Sequence, residues 1–159
     1  MDFNLNLNDN SLFAGNNSIF NNGEVGRVTN VTMTLEKKSA DDSSNNPPFK
    51  FIFTDEAGAS VNLGYFRFTP MEGADEASIQ QSMRNRFQTL VSIARCFIPT
   101  DFQFPSTESL STEQVENMLI QTIENNVSQD KKVNVFVTYG TKRNPSQYLR
   151  VRGYNFIEP

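Results

Sequence analysis

The sequence predicts a mainly β domain with inserted helices: five strands, with the helical insertion between the third and the fourth. Three observations carry that expectation. Apolar and polar residues alternate with a period of two around Gly23–Lys38, Phe49–Thr54 and Val61–Phe68, and again on both sides of a turn within Lys131–Ile157. Clusters of Gly, Pro, Asn, Asp and Ser, the residues that turns require, separate these runs. The best apolar stripe at helical spacing, between Pro70 and Pro99, falls between the third and fourth strands.

Composition narrows the function classes. A length of 159 residues fits one domain that can bury its own core. No run of 18 apolar residues occurs, so neither a membrane span nor a membrane partner is expected. The first residues lack a basic stretch followed by an apolar one, so no secretory signal is expected. The expected location is the cytoplasm, that of a host cell if the protein is viral. Histidine is absent, which removes the commonest general base and the commonest zinc ligand. The single cysteine, Cys96, permits neither an internal disulfide nor a cysteine-cluster metal site. It reads as a small buried hydrophobe, and no cofactor is expected. Asp55 and Glu56 are adjacent carboxylates, but in a hairpin turn they read as solvated acids rather than a catalytic pair. No glycine-rich phosphate loop is present. An enzyme is not expected.

Residues 1–22 hold eight asparagines and no basic residue, which predicts a flexible polar tail. Asn10-Ser11-Leu12-Phe13 is echoed by Asn17-Ser18-Ile19-Phe20, and the two apolar pairs are candidates for docking on a partner or on the domain itself. The domain is expected to occupy 23–159. In its first strand Val31, Met33 and Leu35 alternate with Thr32, Thr34 and Glu36, and Gly26 permits an early bulge or bend. Ser39–Pro48 is a loop. Phe49, Phe51 and Phe53 alternate with Lys50, Ile52 and Thr54. Asp55-Glu56-Ala57-Gly58 then makes a hairpin turn into Val61, Leu63 and Tyr65. The three phenylalanines have two possible roles. Facing inward they leave Lys50 on the outer face; facing outward they become stacking platforms.

In the helical insertion, Ile79, Met83, Phe87, Leu90, Val91, Ala94, Phe97 and Ile98 form a stripe expected to pack in the core, and Pro99 stops it. Arg84, Arg86 and Arg95 point elsewhere. Ser111 and Gln114 have the spacing of a capping box, opening a second helix through Val115, Met118, Leu119 and Ile123 to about Asn126. Between Pro99 and Asp130 there are six acids and no base, so this helix is not expected to meet a phosphate backbone.

The closing stretch carries most of the functional signal. From Lys131 to Pro159 there are six basic residues and one acid, in a chain of net charge −4. Val133, Val135, Val137 and Tyr139 form one strand face, and Gly140–Gln147 forms a turn holding Lys142 and Arg143. The chain then returns with Leu149 and Val151 on one face and Tyr148, Arg150, Arg152 and Tyr154 on the other. Rings alternating with cations suit a polymer of stacked bases on a phosphate backbone. A solvated strand face, with arginine stems covering apolar neighbours, explains the same alternation without a ligand.

Five strands with a helix between the third and fourth is the element order of the OB-fold, a partly open barrel. That fold binds oligonucleotides through strands two and three and the loops joining strands one–two and four–five. Here those elements are Phe49–Thr54, Val61–Phe68, Ser39–Pro48 and Gly140–Gln147. With GEVGRVTNVTM, FKFIFTDEAGASVNLGYF and VNVFVTYGTKRNPSQYLRVRGYNFIEP in these places, the chain resembles the single-stranded-DNA-binding OB proteins of tailed bacteriophages over residues 23–159. The resemblance is one of architecture. It implies a sequence-tolerant binder of single-stranded DNA that supports viral DNA replication or recombination, alone, as a homo-oligomer or with replication partners. Such phage proteins often end in an acidic, partner-recruiting tail, whereas this sequence ends in Asn155-Phe156-Ile157-Glu158-Pro159, so recruitment by that route is not expected. The expected phosphate contacts are Lys50, Arg67, Lys142, Arg143, Arg150 and Arg152, with Tyr148 and Tyr154 as stacking rings. The competing expectation is a bacteriophage virion structural or assembly protein with an N-terminal docking arm.

Overall fold

A computed structural model describes residues 19–140, 145–151 and 157–159. The elements are β1 (Gly26–Lys37), β2 (Phe49–Thr54), β3 (Ser60–Tyr65), α1 (Glu76–Arg95), α2 (Thr112–Asn126), β4 (Val133–Gly140), β5 (Pro145–Val151) and β6 (Ile157–Glu158). Both helices lie between β3 and β4, as the sequence predicts. The sheet is antiparallel and six-stranded rather than five-stranded, in the order β3-β2-β1-β4-β5 with β6 also on β4. β5 pairs with Val137–Gly140, while β6 takes Asn134 and Val135. The sheet is open: β3 and β5 approach within 8 Å at their Cα atoms, but no ladder joins them among the described residues. A closed five-stranded barrel is thus not what the strand pairing forms.

β1 serves both halves of the sheet. Its last residues, Thr32–Lys37, pair with β2, and Gly26–Val31 pair with β4. Between Val28 and Val31 the register shifts, and Asn30 takes a left-handed backbone (φ 57°). Asparagine tolerates that conformation better than most residues. The bulge lets the strand bend while Val28 and Val31, three positions apart, both stay buried. Gly26 itself takes the positive φ of 141° that its lack of a Cβ permits, and the bulge lies a few residues further on.

The inner face of the sheet buries Val31, Met33, Phe51, Phe53, Val133, Val135 and Val137 against Leu90, Ile93, Phe97 and Ile123 of the helical insertion. Phe49 is buried with them, which settles the phenylalanine alternation: these rings are core, each contributing about 1.5–3 kcal/mol by burial. Asp75 caps α1 by accepting from the Ser78 amide at 2.7 Å, and that bond holds its carboxyl below the usual range. The capping box of α2 is present, with reciprocal Ser111–Gln114 bonds of 3.2 and 2.8 Å. Only the second half of α1 reaches the core. Ile79 and Met83 in its first half are half-buried, and Phe87 in its second half packs against the edge of the core.

One boundary moves. Phe20, expected in the tail, is 2% exposed and belongs to the core. Asn21 and Asn22 turn the chain with left-handed backbones (φ 53° and 55°), and the Asn21 amide donates to Asp55 Oδ2 at 3.0 Å. The Tyr139 hydroxyl donates to the Gly23 carbonyl at 2.6 Å. An asparagine-rich stretch suggested a chain without structure, but here asparagine supplies the turn that seats the ring. Residues 1–18, including Leu12 and Phe13, lie outside the described residues. Among the described residues, no helix is long and apolar enough to cross a membrane.

Candidate functional site

The outward face of β2 and β3 is laid out by the strand register. Thr32, Thr54 and Ser60 form one cross-strand row, Thr34, Ile52 and Asn62 the next, and Glu36, Lys50 and Gly64 the third. With the three phenylalanines buried, Lys50 falls on the outward face, across from Glu36 in the register. A side chain at Gly64 would place Cβ 2.8 Å from Pro47 Cγ, so the Ser39–Pro48 loop closes down on the end of this face. None of these outward positions on β2 and β3 holds a ring, because Phe49, Phe51, Phe53 and Tyr65 are all buried inside. The face offers hydroxyls, an amide and one cation, but no stacking platform.

Arg67 is held just past β3. Its Nη1 donates to Glu116 Oε1 at 3.1 Å and to Asn117 Oδ1 at 2.7 Å, and its guanidinium lies 5.2 Å from the centre of the Phe49 ring. Glu116 is 2% exposed, the only buried charged side chain among the described residues. Its other oxygen accepts from the Tyr65 hydroxyl at 2.7 Å and from the Phe68 amide at 2.9 Å. Burial, reinforced by the bond to Glu116, pushes the Tyr65 phenol far up from its ordinary range. Arg67 therefore enters any binding surface with its charge already balanced by an internal partner. Glu116, one of the six acids between Pro99 and Asp130, ties α2 to the end of β3.

The outward face of β1, β4 and β5 is different. Arg27 lies directly across from Phe136, and Thr138 lies across from Arg150, so a ring has cations on both neighbouring strands. Arg150 is exposed, as expected, and Val151 beside it in sequence is buried. Arg27 Nη2 stands 2.9 Å from Glu158 Oε2, and both side chains are more than half exposed. Such a pair is worth little in water and yields to a competing anion. The sequence reading did not single out Arg27. Unbroken alternation counted back from Val31 turns position 27 inward; the bulge at Asn30 reverses the phase and turns it out. Tyr148 is placed in β5 by its backbone. Lys142, Arg143, Arg152 and Tyr154 lie outside the described residues. Lys131 donates to the Phe97 carbonyl, which ties it to the end of the first helix.

The remaining reactive-looking groups have local partners. Asp55 accepts from the Ala59 amide through Oδ1 at 2.9 Å and from the Asn21 amide through Oδ2 at 3.0 Å. Glu56 accepts from Asn30 at 2.8 Å. Cys96 is buried and donates to the Ser92 carbonyl at 3.3 Å, and its thiol is pushed up to about 11, chiefly by burial. No protein-family model, curated protein or solved structure matches the chain.

Proposed function

We propose that this chain is a non-enzymatic protein that binds single-stranded DNA with little sequence preference, through the outward face of β1, β4 and β5. The observation that carries the reading is the pair of exposed cations Arg27 and Arg150, on the two strands that flank β4. Cations spaced across a sheet face give the phosphates of a strand something to meet. Lys50 extends the cationic surface on β2, and Tyr148, Lys142, Arg143, Arg152 and Tyr154 follow in the same C-terminal stretch. We read the open sheet as an OB-type barrel. In support, the strand order brings β3 and β5 alongside each other and puts the helices between β3 and β4. The role that fits is protection or presentation of single strands during replication or recombination. Titration of fluorescent oligo-dT across a salt series tests it. Binding should weaken with salt at a log–log slope near −2 to −4, about −0.7 per phosphate contact. No binding at low salt refutes the reading, and the assembly-protein alternative then takes precedence.

A further inference from the structure

A groove of about 780 Å³ opens between the end of β3 and the first half of α1. Its two sides differ in chemistry. The floor is the half-buried ring of Phe68, seated beside the buried Tyr65, and the adjoining Phe66 and Met71 are among the most exposed apolar side chains described. The facing wall is a stripe of small polar residues on α1, Ser78, Ser82, Asn85 and Thr89, whose spacing keeps them on one side of the helix. Arg86 is the single charged residue lining the groove among the described residues, 5.9 Å from the centre of the Tyr65 ring. Its Nη1 donates to the Phe66 carbonyl at 3.2 Å.

The floor is pre-set. Tyr65 and Phe68 are fastened to one oxygen of the buried Glu116, so the segment that shapes the groove is fixed without a ligand. What fits must satisfy both sides at once. A purely apolar ligand takes the α1 hydroxyls and amide out of water, and a sugar leaves the ring wet. A flat ring with a hydrogen-bonding edge and an anionic group meets all three features. We propose that the groove binds such an aromatic anion, and that in this chain it is one nucleotide of the bound strand. The base lies on Phe68, its edge meets the Ser82–Asn85 wall, and its phosphate meets Arg86. This inference rests on the single-stranded-DNA reading and adds to it a base pocket distinct from the β1–β4–β5 face.

Amide-resolved NMR titration of the full chain with dTMP tests it, with thymidine and deoxyribose 5-phosphate as controls lacking the charge and the ring. Shifts should concentrate in Leu63–Thr69 and Ser78–Thr89. Thymidine should bind about tenfold more weakly, as for loss of one charge-assisted hydrogen bond. Deoxyribose 5-phosphate should leave the floor residues unmoved. Ser82→Leu, on the exposed side of α1, should abolish the dTMP shifts while oligo-dT still binds with reduced affinity. Oligo-dT binding without dTMP shifts up to about 10 mM overturns the pocket and leaves the DNA reading standing. An unchanged dTMP response in Ser82→Leu also overturns it. Groove shifts without oligo-dT binding support the pocket, as a free-nucleotide site, and remove the DNA reading.

Discussion

The Tyr65 hydroxyl and the Glu116 carboxylate, 51 positions apart in the chain, meet at 2.7 Å in the interior. This contact, with those from Phe68 and Arg67 to the same carboxylate, fastens α2 to the chain leaving β3. A buried carboxylate is tolerable only because every contact it needs is made. Glu116→Ala should cost about 3–4 kcal/mol, since it strands a buried hydroxyl and a backbone amide at once. Tyr65→Phe removes one of three donors and should cost about 1.5–3 kcal/mol. Urea unfolding measures both. A Glu116→Ala transition within about 0.5 kcal/mol of the parent would show that the carboxylate carries no structural weight.

Stability should fall on the alkaline side. Both Tyr65 and Cys96 have raised values in the folded chain, the tyrosine far above its ordinary 10.0 and the cysteine up to about 11 from 9.0. The unfolded chain releases these protons first, so it holds fewer protons than the folded one as pH rises through 9 and 10. Unfolding is favoured across that window. Urea midpoints should be level near neutral pH and drop from about pH 9 upward, and Cys96→Ala should delay the onset. For the same reason the thiol should resist iodoacetamide at about pH 8 until the protein unfolds. Rapid native-state labelling is the contrary outcome.

Removal of residues 1–22 should damage the fold, because Phe20 goes with them. The loss should resemble a large-to-small core substitution, about 3–5 kcal/mol, and Phe20→Ala should reproduce most of it. A chain beginning at Ile19 should retain the parent transition. If the chain beginning at Gly23 melts with the parent, Phe20 contributes nothing despite its burial.

The binding face makes a ranked prediction. Arg27→Ala and Arg150→Ala should each lower the magnitude of the oligo-dT salt slope by about 0.7. Arg84→Ala and Arg95→Ala are the controls of equal charge; Arg86 cannot serve, because it holds Phe66 and lines the groove. Helix arginines that matter more than Arg27 and Arg150 would refute the face. Glu158→Gln should tighten binding slightly by releasing Arg27 from its exposed partner.

Local chemistry made much of this molecule legible from its residues. The β2–β3 hairpin follows from period-two alternation around Asp55–Gly58, the start of α2 from the Ser111–Gln114 spacing, and the order of strands and helices from turn residues between periodic runs. Each depends on contacts within a few residues, which is the range that a sequence pattern encodes. Arg150 stands outward next to the buried Val151, as the alternation has it, whereas the face of Lys50 followed only once Phe49, Phe51 and Phe53 were found buried.

Only the tertiary structure decided the rest, because those features depend on residues far apart in sequence. One left-handed residue, Asn30, reverses the phase of β1 and brings Arg27 beside Phe136, a pairing that no count along either strand reveals. Phe20 joins the core because Asp55 and Tyr139 hold the turn that follows it. Arg67 looked like a phosphate contact, but an acid 49 positions away balances its charge. Among the described residues β3 and β5 approach without exchanging a ladder, and alternation, which reports only which side chains point inward, says nothing about whether two edges meet.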